Sequence, residues 1–193
     1  MKNMRRKFLE FKARRAQIQA ALMEERTGVF SATTGLLLGY LGEIGVHEFG
    51  HVVAAKIFGN DVEFAFRADS FHTIPYADHV RSAIEEFSIV MGGPIADYAA
   101  SITALIYANR AREDSTIRRP LAAAYSMIAS MVPFSQSLGT FANVGDFHYL
   151  DYFGIPKEAQ VAAAAAMSFP IAILGAREVA KTYRMISEQS EAV

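Results

Sequence analysis

Charge in this chain is confined to blocks, and between them lie four long runs with almost none: residues 27–42, 87–109 with only Asp97 interrupting, 120–145 and 159–176. Each is close to the roughly 17–25 residues with which a helix crosses a bilayer. A helix on a soluble surface needs a charged face, and these show none. The pattern therefore predicts an all-α, multi-pass integral membrane protein of about four transmembrane helices. Mean hydropathy is a modest +0.16, because the runs are rich in Ala, Gly, Ser and Thr rather than Leu and Ile. Small residues let membrane helices approach closely, and Gly35, Gly39, Gly42 and Gly45, with the alanine run 162–166, form such series. A soluble bundle of Ala-rich helices is the competing reading.

The segments around these runs divide the chain into 1–26, 27–185 and 186–193. Residues 1–26 are basic, with Lys2, Arg5, Arg6, Lys7, Lys12, Arg14, Arg15 and Arg26 set around Phe8, Phe11, Ile18 and Leu22. They predict an amphipathic helix retained in the protein and lying on anionic lipid. From about Thr27 one helical region reaches Phe58, and Gly59-Asn60-Asp61 ends it. The alternating runs Val62–Arg67 and Phe71–Tyr76 predict a small β-hairpin between the first two spans. That hairpin is either an edge for laying out a substrate strand or a plain surface ribbon. Gly92-Gly93-Pro94 should kink the second span and Pro133 the third, and residues 110–119 are a charged loop. Residues 186–193 are a polar tail. Lys and Arg counts in the short loops favour the N-terminus, the loop near residue 115 and the C-terminus on the cytoplasmic side. A net charge of −1 leaves no footprint for nucleic acid.

Within the first span stands His47-Glu48-Phe49-Gly50-His51. Four residues of helix advance about 6 Å and slightly more than one turn, so both imidazoles project from one face toward a shared point. That geometry suits two nitrogens on one Zn²⁺, with Glu48 about 100° further round in the position of a general base. The chain has no cysteine, so a metal must be held by histidine and carboxylate. A carboxylate completing two histidines, with one position open, is a normal catalytic zinc set. Glu43, one turn before His47, either accepts an imidazole N–H and fixes its tautomer or pairs with a lysine or arginine. His72 and His79 read as solvated rather than ligating.

Three elements in order resemble the site-2 protease family of intramembrane zinc metalloproteases, peptidase family M50, over roughly residues 40–155. His47-Glu48-Phe49-Gly50-His51 with Ala54, Ala55 and Phe58-Gly59 is similar to that family's zinc helix. Gly93-Pro94-Ile95-Ala96-Asp97 is similar to its Gly-Pro-x-x-Asn segment, with Asp97 standing where the family has asparagine. Asp146 takes the place of the aspartate in its Asp-Gly motif, although Phe147 follows it. The resemblance implies an M50-like core, zinc on His47, His51 and Asp146, and Glu48 as catalytic base. It also implies contacts to the substrate backbone at Asp97 and Asn143. His148 and Asp151 are the substitutes for the third ligand. The implied activity is zinc-dependent hydrolysis of a peptide bond in or near a transmembrane segment of a protein or peptide substrate in the lipid bilayer. A soluble zinc metallopeptidase and a non-catalytic membrane scaffold are the alternatives.

Overall fold

The computed structural model describes residues 2–66, 71–76, 81–111 and 117–191. The chain runs α1 (Lys2–Ile57), β1 (Asp61–Phe66), β2 (Phe71–Tyr76), α2 (Ala83–Arg110) and α3 (Arg118–Gly139). A 3₁₀ turn at Thr140–Ala142, a 3₁₀ segment at Asp146–Phe153 and α4 (Lys157–Glu191) complete it. The protein is therefore mostly helical. β1 and β2 pair antiparallel, Asp61 opposite Tyr76 and Phe66 opposite Phe71, at the end of the bundle where α1 stops and α2 starts.

Close backbone approaches set how the helices pack. A Cβ on Gly50 would overlap the Gly92 carbonyl, and one on Gly92 would meet Gly50 and Ala54, so α1 and α2 touch backbone to backbone and run antiparallel. Gly35 faces Leu121 and Ala124 while Gly39 faces Tyr125 and Ile128, which makes α1 and α3 parallel. Gly175 against Ala123 and Met127, with Arg119 paired to Glu178, makes α3 and α4 antiparallel. Of the four-glycine series only Gly35 and Gly39 serve this packing. Gly42 just reaches Tyr125, and Gly45 has open space beside it.

Among the described residues three helical segments are long and apolar enough to cross a membrane: Arg26–Ile57, Ala83–Arg110 and Lys157–Met185. The third uncharged run is not one of them. Its helix ends at Gly139 rather than reaching residue 145, and α3 packs against α1, α2 and α4. Its inward residues Ala122, Ala123, Ala124, Ser126, Ala129, Ser130 and Ser137 are small or polar. A helix enclosed by protein has little need of an apolar surface, so its hydropathy falls.

Large apolar residues meanwhile lie outside. Phe30, Leu37, Leu41 and Ile44 on α1, Ile95, Ile102 and Ile106 on α2, and Phe169, Ile173 and Leu174 on α4 are exposed. The interior holds alanine, serine and buried His47, Asp97, Glu43 and Glu178. A small, polar interior under an apolar exterior suits a lipid surrounding rather than water.

The backbone of α1 does not break at residue 26: one helix of 56 residues spans about 84 Å at 1.5 Å per residue. The basic N-terminal part and the first apolar segment belong to one continuous helix. The side chains of Phe8, Phe11 and Ile18, on which the amphipathic reading rests, lie outside the described residues.

Candidate metal centre

At the end of α1 the chain turns through Gly59, whose φ of +76° is in the left-handed region. Asn60 then reaches across to the start of α2, donating from Nδ2 to Glu85 Oε1 (2.7 Å) and accepting from Arg81 Nε at its Oδ1 (3.1 Å). Ser82 caps α2 by accepting the Glu85 N–H, with Glu85 and Glu86 in the first turn. This closure holds α2 against the last turns of α1, where His47 and His51 face it.

The third element arrives from α3. Asn143 (φ 57°) and Gly145 (φ +78°) turn the chain out of the helix, and Asp146 opens the 3₁₀ segment. Lys157 at the head of α4 secures that turn, donating to the Thr140 carbonyl (2.9 Å) and to Asn143 Oδ1 (2.7 Å). Phe147 and Leu150 are buried with Ala164, Val90, Met91, Phe134 and Phe153, which plugs the segment into the bundle. Asp146 is thereby brought onto the two histidines.

His47 Nε2 lies 2.6 Å from Asp146 Oδ2 and 3.1 Å from His51 Nε2, which is 3.3 Å from the same Asp146 oxygen. The other ring nitrogens are already committed. His51 Nδ1–H donates to the Ile89 carbonyl (2.6 Å), an acceptor only, and His47 Nδ1–H to Asp97 Oδ2 (2.7 Å). Once both rings carry their only hydrogen at Nδ1, two Nε2 lone pairs and a carboxylate oxygen are left converging as acceptors. Such a set calls for a cation. Ligand atoms of a tetrahedral zinc ion with bonds of 2.0–2.2 Å stand about 3.3 Å apart, and two of the three separations match that edge. His47, His51 and Asp146 could thus hold a metal ion, and their chemistry fits zinc. In the metal-free chain burial opposes ionisation of Asp146, but hydrogen bonds from the two imidazoles prevail and hold its carboxyl well below the usual range.

Gly93 supplies the room. A Cβ there would stand 2.5 Å from Nε2 of both His47 and His51. The Gly-Gly-Pro run reads in sequence as a kink, yet α2 continues through Pro94 as helix; the glycines serve as space.

An open pocket of about 580 Å³ leads to the centre, lined by Glu48, His51 and Asp146, with Ile89, Val90 and Phe153 as apolar wall and Tyr149 and Tyr152 beside them. Glu48 is partly exposed and faces this pocket. Arg81 and Glu86 also line it.

The other residues singled out in the sequence fall elsewhere. Asp97 is fully buried, and its Oδ2 lies against His47 Nδ1. Glu43 Oε1 lies 3.8 Å from His47 Nδ1, so Asp97 and not Glu43 is the acceptor of that N–H. Asn143 is exposed and occupied with Lys157. His148 and Asp151 stand apart from the centre, 3.6 Å from each other, and Asp151 accepts from Gln160 (2.8 Å). His79 and the side chain of His72 lie outside the described residues. Sequence reasoning missed Gly93, the Ile89 carbonyl, and the pocket wall of Tyr149, Tyr152 and Phe153. Only the wall left a signal, the aromatic cluster following Asp146.

Compared with models of known families, with curated proteins and with solved structures, the chain finds no match.

Proposed function

We propose that this protein is a zinc-dependent intramembrane endopeptidase of the site-2 protease kind, hydrolysing a peptide bond in or near a transmembrane segment of its substrate. The observation that carries it is the convergence of two Nε2 atoms and the Asp146 carboxylate beside an open pocket that His51, Asp146 and Glu48 line. On this reading α3 is a fourth span enclosed by the other three, and the protein is multi-pass. The apolar exterior of α1, α2 and α4 counts against a soluble peptidase, and the carboxylate of Glu48 beside the centre counts against an inert scaffold.

Bound by His47, His51 and Asp146, zinc would supply a Lewis acid that lowers the pKa of water and polarises the scissile carbonyl. Glu48 takes a proton from the attacking water and returns it to the leaving nitrogen. The Ile89 carbonyl and Asp97 hold the two imidazoles in the tautomer that presents Nε2. The aromatic wall accepts an apolar stretch of substrate, while the open side of the pocket admits water to a site otherwise set in the bundle.

The test uses detergent-purified full-length protein and a peptide carrying a single transmembrane segment. Glu48→Gln should abolish cleavage and keep zinc, whereas His51→Ala should lose both. Wild type that takes up no zinc after purification without chelator and with added metal overturns the proposal.

A further inference from the structure

His47 and His51 are oriented by different means. The Nδ1–H of His51 is held by a backbone carbonyl, which no side-chain substitution removes, and the Nδ1–H of His47 by the side chain of Asp97. Asp97 is completely buried, and its second oxygen, Oδ1, has no hydrogen-bond partner. Glu43, also buried, lies 3.8 Å from the same Nδ1 with its Oε1 unpartnered. A buried carboxylate with so little compensation is unfavourable by several kcal/mol, so its presence calls for a gain elsewhere. The close hydrogen bond that Asp97 accepts is the His47 N–H, with the Glu43 carboxyl as its other near neighbour. Glu43 sits one helical turn before His47 on the same helix, and Asp97 meets His47 from the helix Ala83–Arg110.

We propose that Asp97 is the positioning residue of the metal centre, and that Glu43 stands behind it as a second acceptor for the same His47 N–H. The inference rests on reading His47 as a metal ligand. Asp97 fixes the ring so that Nε2 faces His51 and Asp146, and its negative charge makes that nitrogen a stronger donor. This accounts for a carboxylate at position 97: an amide there would offer a carbonyl oxygen to Nδ1–H but no charge. Two carboxylates on two helices address one N–H, so losing the nearer leaves a substitute within a side-chain rotation. From 3.8 Å Glu43 compensates only in part when Asp97 is lost, so the double change costs more than either single one.

The experiment measures zinc affinity of the detergent-solubilised full chain by competition with a chromophoric chelator. It is read beside the NMR signal of the His47 Nδ1–H in protein labelled with ¹⁵N-histidine. Asp97→Leu should weaken zinc by about 10- to 100-fold and shift the downfield Nδ1–H resonance upfield, with or without metal. Asp97→Asn should recover part of the affinity and keep a shifted resonance, since its carbonyl still accepts. Glu43→Gln alone should change affinity little, yet in the Asp97→Asn background its effect should exceed the product of the single effects, which is coupling between neighbours. Unchanged zinc affinity and an unchanged resonance in Asp97→Leu overturn the proposal; should that variant fail to fold, the Asp97→Asn pair decides. A wild type without zinc defeats the peptidase reading instead, and the resonance in metal-free protein then decides whether Asp97 positions His47.

Discussion

Two clusters of buried charge sit in this bundle, one toward each end, and they are built on opposite plans. Where α3 begins, Arg119 donates through Nε (3.1 Å) and a terminal guanidinium nitrogen (2.6 Å) to Glu178 Oε2, while Lys181 covers the other oxygen. Donors meet acceptors and opposite charges meet, so the cluster is complete within the chain. At the other end His47, His51 and Asp146 present acceptors to one another, and the nearest further groups, Asp97 and Glu43, add more negative charge. What is missing there is positive charge from outside. Burial alone therefore does not mark a functional site; burial with an unmet demand does.

The contrast can be broken most sharply at the metal end. His51→Ala or Asp146→Ala should take zinc from about one ion per chain to none, as read by elemental analysis, since a structural trio of ligands does not survive as a pair. The same variants should abolish the rise in thermal midpoint that added zinc gives wild type, because a ligand stabilises only the state that binds it. Next comes the self-contained cluster. Arg119→Met should lower unfolding stability in detergent by about 3–5 kcal/mol by stranding Glu178, while the double change Arg119→Met with Glu178→Met should restore most of it. Zinc content should stay at the wild-type level in both. Gly93→Ala tests space rather than charge. Its added methyl group meets both Nε2 atoms and should weaken zinc by about 1–3 kcal/mol, roughly 5- to 150-fold in a competition titration, with helix content by circular dichroism preserved. The smallest effect is expected at Gly45, which has nothing within 4 Å. Gly45→Ala should raise stability by about 0.5–1 kcal/mol and leave zinc untouched.

The part of the site legible in sequence was the part written locally. His47, Glu48 and His51 lie within little more than one helical turn, so their relation follows from the helix alone. The acceptor for His47 does not, because Glu43 on the same helix is the local choice, whereas Asp97 wins through the antiparallel seating of α2 on Gly50 and Gly92. For the same reason Gly93 reads as a helix breaker until His47 and His51 are set against it. Charge blocks located the apolar helices well, and two of their boundaries do not coincide with the ends of helices. The change at residue 26 marks a shift in composition within a helix whose backbone is unaltered. The run 120–145 joins a helix to a 3₁₀ turn that carries no charge either. Packing glycines and open ones look alike in the sequence, which is why Gly45 was grouped with Gly35 and Gly39.

Asp146, the third member of the candidate centre, comes 99 residues after His47. At a translation rate of about 5–20 residues per second, a ribosome needs roughly 5–20 s to cover that distance. Throughout that interval the nascent chain carries both imidazoles and Glu48 with nothing to finish the set. The Ile89 carbonyl and Asp97 arrive first, then α3, and only the turn at Gly145 delivers Asp146. A stalled or truncated product would thus bear the motif without the centre.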